Sequence, residues 1–238
     1  MLRKSLLLIA ALVCGNASAG TETWNLGNAN FGGSGNSNYL NMVVDGIGLT
    51  ITGWTDASNQ GGDLTQSQLY RWSGGVGIEN LSNPEHAVDN SNGYDALLLS
   101  FDTAVSLDGV SVGWYSGDAD MSFAAYTGSG NVNSLANLSW NEFLSNGWIS
   151  QGDYTGSAGT AYRSVSNTVT SKYWIVGAFN PAFGGSSSYT GAADYMKING
   201  LYTTSPDTPD PGTGIPEPSA ILLFALGLLL LRRSGKHC

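Results

Sequence analysis

Between residues 20 and 204, apolar side chains recur with a period of two, the spacing of a strand with one covered face. Leu97, Leu99 and Phe101 share one face, and Ser100 and Asp102 bound the run. Val105 and Leu107 share one parity, whereas Val110, Val112 and Trp114 share the other. The switch falls at Asp108 and Gly109, which predicts a bulge or tight turn there. Met121, Phe123 and Ala125 alternate, as do Met196 and Ile198. Residues 173–179 are apolar on both faces, which predicts a central strand covered from two sides. Further strands are expected at 39–45, 49–55, 69–72 and 148–151. Helical spacing is confined to 139–146, where Ser139 and Glu142 match a capping box and Gly147 ends the turn. Phe143 and Leu144 are expected to pin that short helix to the sheet. About ten strands separated by Gly, Asn and Asp predict an all-β domain, an antiparallel β-sandwich of jelly-roll type. No repeat of 20–50 residues is present, which disfavours propellers and solenoids.

Composition narrows the function. Charged residues are only 11% of the 238-residue chain, against about a quarter in an average soluble domain. Five of the nine basic residues (Arg3, Lys4, Arg232, Arg233 and Lys236) lie at the two ends. Between residues 20 and 214 only Arg71, Arg163, Lys172 and Lys197 remain, against 17 Asp and Glu. Such a surface repels phosphate backbones, so nucleic acid is excluded as a partner. The cysteines, Cys14 and Cys238, are also terminal, so the middle has no disulfide and no thiolate metal site. His86 and His237 are too few for a His-rich zinc centre.

The ends read as addresses. Residues 1–19 form a secretory signal: Arg3 and Lys4, an apolar run from Leu6 to Val13, then Ala17, Ser18 and Ala19 as a small-x-small cleavage pattern before Gly20. Signal peptidase and the Sec machinery are the expected partners. Residues 205–214 are a Pro/Asp/Gly linker with nothing to bury. Residues 215–238 begin with Ile215, Pro216, Glu217 and Pro218 and continue with an apolar segment that places a transmembrane helix at about 218–231. Its twelve-residue apolar core spans about 18 Å as a helix, enough only for a thinned bilayer. Arg232 and Arg233 open a basic tail, 232–238, that belongs in the cytoplasm. The acidic middle then lies across the inner membrane.

Pro216, Glu217 and Pro218, the apolar helix and the terminal arginine pair, in that order, resemble the PEP-CTERM sorting signal of Gram-negative bacteria. The resemblance implies processing near Pro216–Pro218 by exosortase, a membrane-embedded, cysteine transpeptidase-like enzyme, in an exopolysaccharide-producing cell. It places the protein first in the inner membrane with its ectodomain in the periplasm, then at the cell surface or outside. Gly74–Ile78, residues 84–90, 95–102 and 113–120 also resemble exosortase-dependent surface proteins that share an ectodomain with this tail. That likeness implies a surface domain without assigned catalysis, an exported surface or matrix protein rather than an enzyme.

Within the domain, the densest polar run is Glu85 to Asp95. Asp89, Asn90 and Asp95, with Asn92 between them, offer oxygen ligands of the kind Ca²⁺ takes, and Asp118 and Asp120 complete a site if their strands are neighbours. The Gly spacing departs from an EF-hand, and Asx turns explain the same residues. Seven tryptophans raise a second possibility. Tyr70 with Trp72, and Trp114 with Tyr115, are the rings expected to stack on sugar faces in a carbohydrate-binding module; adjacent rings in a strand must point opposite ways. A polysaccharide hydrolase using Glu85, His86 or Asp89 is the remaining reading. It lacks a nucleophile elbow, and seventeen acids guarantee close pairs without implying a function.

Overall fold

The computed structural model describes residues 19–27, 35–56, 61–79, 86–132, 134–155, 162–167, 169–184 and 193–206. All lie in one compact unit, Ser18–Pro206. The signal residues through Ser18, the linker from 207 and the whole 215–238 segment lie outside the described residues, including Pro216, Glu217, Pro218, Arg232 and Arg233. Among the described residues no helix is long and apolar enough to cross a membrane.

The all-β expectation holds. The strands are β1 Gly20–Asn25, β2 Gly35–Ser37, β3 Leu40–Val44, β4 Ile47–Asp56, β5 Thr65–Trp72, β6 Gly75–Glu79, β7 Val88–Asp89, β8 Tyr94–Gly117, β9 Met121–Tyr126, β10 Trp148–Tyr154, β11 Tyr162–Ser164, β12 Ser171–Ala178 and β13 Asp194–Ser205. In place of two separate sandwich sheets they form one sheet that closes on itself. The path β13–β6–β5–β4–β8 returns to β13, because the 24-residue β8 pairs β4 through Tyr94–Phe101 and β13 through Ser106–Gly117. The parity switch falls inside the stretch that pairs β13. Gly109 faces Tyr202 and Leu107 faces Thr203, so Asp108 is an extra, bulged residue and the strand continues past it.

The ring interior is one cluster that includes Trp24, Ile51, Leu69, Val76, Leu97, Leu99, Phe101, Val110, Val112, Phe123, Trp174 and Ile198. A second cluster lies on the opposite face of β4, β8, β9 and β12, where Trp54, Leu98, Ala124 and Ile175 meet Trp140, Phe143, Trp148 and Phe183. Strand β12 is thereby covered on both faces, as its unbroken apolar run predicts.

The lid of this second cluster is the short helix α1, Trp140–Phe143, continued as a 3-10 turn to Asn146 and stopped by Gly147 in the left-handed conformation. The Ser139 hydroxyl donates to Glu142 Oε2 at 3.0 Å rather than accepting from the Glu142 amide, which bonds the Ser139 carbonyl at 3.1 Å. Phe143 pins the helix as expected, stacked 4.4 Å from Trp148. Leu144 does not and points to solvent; Trp140 takes its place, its indole N–H donating to the Tyr94 carbonyl.

Strand β1 closes against the end of β13, with Gly20 opposite Ser205. Buried Glu22 accepts hydroxyl hydrogens from Thr203 at 2.8 Å and Ser205 at 2.7 Å, and Trp24 donates to Thr203.

Candidate functional site

Two arrangements stand out. The first is an aromatic strip on the outer face of the ring. Alternation along β5 sends Leu69 inward and puts Tyr70 and Trp72 on the other face, ring centroids 5.2 Å apart. The His86 ring stacks on Tyr70 at 4.2 Å, nearly parallel. It can do so because residue 77, opposite Tyr70 in β6, is glycine: a Cβ there would sit 1.8 Å from the His86 carbonyl oxygen. That carbonyl accepts from Lys197 Nζ at 2.9 Å, and the same ammonium lies 4.3 Å from the centre of the Trp114 ring. Lys197 and Trp114 are directly opposite in β13 and β8.

The strip thus runs Trp72, Tyr70, His86, Lys197, Trp114. Its two ends are open, Trp72 being 41% and Trp114 36% exposed. Tyr115, next along β8, points to the other face and packs half-buried against the ring interior. Of the four rings singled out in the sequence, the structure therefore brings three together. His86 and Lys197 are additional members. Their membership depends on β6 and β13 lying side by side, which no local spacing announces. As a surface, the strip offers apolar ring faces beside a fixed positive charge.

The second arrangement lies at the end of β8. Asp118 and Asp120, in the connection to β9, meet Asp194 at the start of β13, with carboxylate oxygens of all three within 4.8 Å of one another. Asp194 accepts from the Asp120 amide at 2.8 Å. Asn90 clamps it from the side: its carboxamide N–H donates to Asp194 and to the Phe179 carbonyl, and its oxygen accepts from the Asp194 amide at 2.8 Å. Burial, reinforced by the negative charges of Asp120 and Asp118, pushes the Asp194 carboxyl up to about 7 against the hydrogen bonds that favour its ionised form. Burial and the Asp120 charge also raise Asp153, whose carboxylate accepts the Ser122 hydroxyl.

Of the residues proposed from sequence as calcium ligands, Asp118 and Asp120 converge and Asn90 touches the group through Asp194. Asp89, which accepts the Ser91 amide, and Asp95, buried at the start of β8, lie outside the group of three. Asp194 was not legible as a partner, being a strand-edge acid far along the chain from Asp120. For the hydrolase reading, Glu85 lies outside the described residues, His86 is committed to the Tyr70 stack and Asp89 to a turn. Ala19 and Gly20 are exposed at the start of β1, and Ala17 lies outside the described residues.

Compared with known proteins, the chain finds no counterpart: no family, no curated protein and no solved structure matches it.

Proposed function

We propose that this chain is an exported, non-enzymatic surface or matrix protein of an exopolysaccharide-producing Gram-negative bacterium, and that its domain meets polysaccharide through the Trp72–Trp114 strip. The strip carries the reading: Trp72, Tyr70 and Trp114 share one outer face, with Lys197 held against Trp114. Apolar sugar faces stack on such rings, and the weakly charged, acidic remainder keeps the domain soluble among polysaccharides. Delivery follows from the two ends. Signal peptidase removes residues 1–19 after Sec export, the tail holds the protein in the inner membrane, and exosortase processes it near Pro216–Pro218. The pairing of Gly20 with Ser205 supports this order, since both cuts fall outside the sheet.

Mass spectrometry of the mature protein tests delivery. The expected species begins at Gly20 and ends near Pro216–Pro218, and an intact C-terminus at Cys238 contradicts it. An array of neutral glycans tests the strip: binding should appear with the wild type and vanish with Trp72→Ala and Trp114→Ala. A calcium-supported form of the same reading rests on Asp118, Asp120 and Asp194. It expects the melting temperature to rise with CaCl₂ and fall with EDTA, and an unchanged melt removes it.

A further inference from the structure

The domain has a second surface suited to sugars, away from the aromatic strip. A groove of about 510 Å³ lies where the end of β9 and the residues after it face the start of β12. Tyr126 and Tyr173 form its corner, ring centroids 6.0 Å apart and planes 74° to one another, one a floor and the other a wall. Their hydroxyls hold the connecting segment, Tyr126 donating to the Ser129 carbonyl and Tyr173 to Asn131, both at 3.2 Å. The segment stays low because residue 128 is glycine. A Cβ there would stand 2.6 Å from the Tyr126 ring. Thr127, Thr170, Ser171 and Lys172 add polar groups to the lining, and Ala104 and Val169 add apolar ones.

Lys172 decides the ligand's charge. Of the four cations between residues 20 and 214, Lys197 is buried on the strip, Arg71 is half-buried and engaged, and Arg163 has Nε and Nη2 buried. Lys172 is the exposed one, and it makes no hydrogen bond or ion pair among the described residues. An unengaged ammonium at the mouth of an aromatic, hydroxyl-lined groove fits a ligand with an apolar face, hydroxyls and a carboxylate.

We propose that this groove binds a uronate-bearing saccharide, with its carboxylate on Lys172 and its ring face on the Tyr126–Tyr173 corner. The groove is separate from the strip. Ala104, in its wall, and Trp114 are joined by about 30 Å of β8. One domain then grips two chain segments and cross-links them. That cross-linking consequence rests on the strip reading, but the groove itself does not.

Isothermal titration of the full-length protein in detergent, with trigalacturonate and neutral maltotriose as probes, tests it. Trigalacturonate should bind more tightly than maltotriose and weaken at high salt. Lys172→Gln should lower its affinity about tenfold, and Thr170→Trp, which fills the groove from another exposed position, should abolish it. Trp72→Ala with Trp114→Ala should leave it unchanged. No heat at millimolar trigalacturonate overturns the proposal, as does equal binding by Lys172→Gln or loss in the tryptophan double variant. Failure of the strip shows differently, as neutral-glycan binding on the array that survives the tryptophan substitutions while the titration result stands.

Discussion

Where β8 pairs β4 it is covered on both faces; where it pairs β13, one face is wet. In the first half Leu97, Leu99 and Phe101 point into the ring while Ala96 and Leu98 meet the second cluster. In the second half Val110 and Val112 still point inward, but the outer face carries Ser111, Trp114 and Ser116. The alternation is regular in the first half; the second is bulged at Asp108 and again at Gly113, which turns Trp114 outward although it shares the sequence parity of Val110 and Val112. What also differs is what the rest of the chain lays on top: Trp140, Phe143 and Phe183 cap the first half, whereas single side chains reach onto the second, Tyr162 over Gly109, Asn199 on Ser111 and Lys197 on Trp114. Stability is concentrated where two layers meet, and the single-layered half is left open to contact ligands.

The largest test of that division is Phe143→Ala. Phe143 is fully buried and stacks on Trp148 and Phe183. Its loss should cost about 3–5 kcal/mol and lower the melting temperature by roughly 10 °C for a domain of this size. Glycan binding by the strip should survive at low temperature. A loss of binding in the still-folded variant would mean the halves are not independent.

The second test is pH. Asp194 sits beyond the wet half, and its carboxyl is raised from 3.8 to about 7. Between about pH 4 and 7 the folded chain therefore holds a proton that the unfolded chain has released, so stability falls as pH rises through that window. The stabilisation is complete below about pH 4 and gone above about 7, and its upper limit is about 4 kcal/mol. Asp118→Asn removes the weaker of the two repelling charges and keeps an oxygen for the Ala119 amide, so it should make the melting-temperature profile slightly shallower, burial and the Asp120 charge remaining. A wild-type profile already flat across the window contradicts the cluster's electrostatics. Bound Ca²⁺ would reverse the sign by favouring the ionised carboxylates, with its largest effect at alkaline pH.

Gly77→Ala comes third. The added methyl must displace the His86 carbonyl, and with it the Ala87–Ile78 backbone hydrogen bond and the Tyr70 stack. A cost of about 2 kcal/mol is expected, together with weakened glycan binding. Normal binding would show that His86 plays no part in shaping the strip.

The inward faces of this molecule were legible from sequence because period two survives any topology. Residues 97–101, 121–125 and 173–178 fall in strands with the predicted faces, and the parity change at Asp108 is a bulge; Trp114, expected on the face of Val110 and Val112, is instead turned outward by a further bulge at Gly113. Ring closure was not legible, since it depends on one strand serving two neighbours in succession. The outer cluster was half legible: Phe143 announced itself by helix spacing, but Trp140 displaced Leu144 once Phe183 arrived from forty residues away. The candidate sites divide in the same way. Tyr70 and Trp72 are two residues apart and read as one face, whereas Asp194, His86 and Lys197 enter through strand pairings that leave no trace in local spacing.

The smallest effect on stability belongs to the residue expected to matter most for binding. Trp114 is exposed along one side, and its main fixed contact is the Lys197 ammonium. Trp114→Ala removes a cation–π contact of about 0.5–1 kcal/mol, and the buried Lys197 keeps its hydrogen bond to the His86 carbonyl. The melt should therefore move by no more than a few degrees, far less than with Phe143→Ala, while glycan binding is lost. Trp114→Phe, which keeps a ring of smaller face, should recover part of that binding with no further change in the melt. A large fall in melting temperature for Trp114→Ala would place Trp114 among the supports of the fold, and the wet half of β8 would then be structural like the dry one.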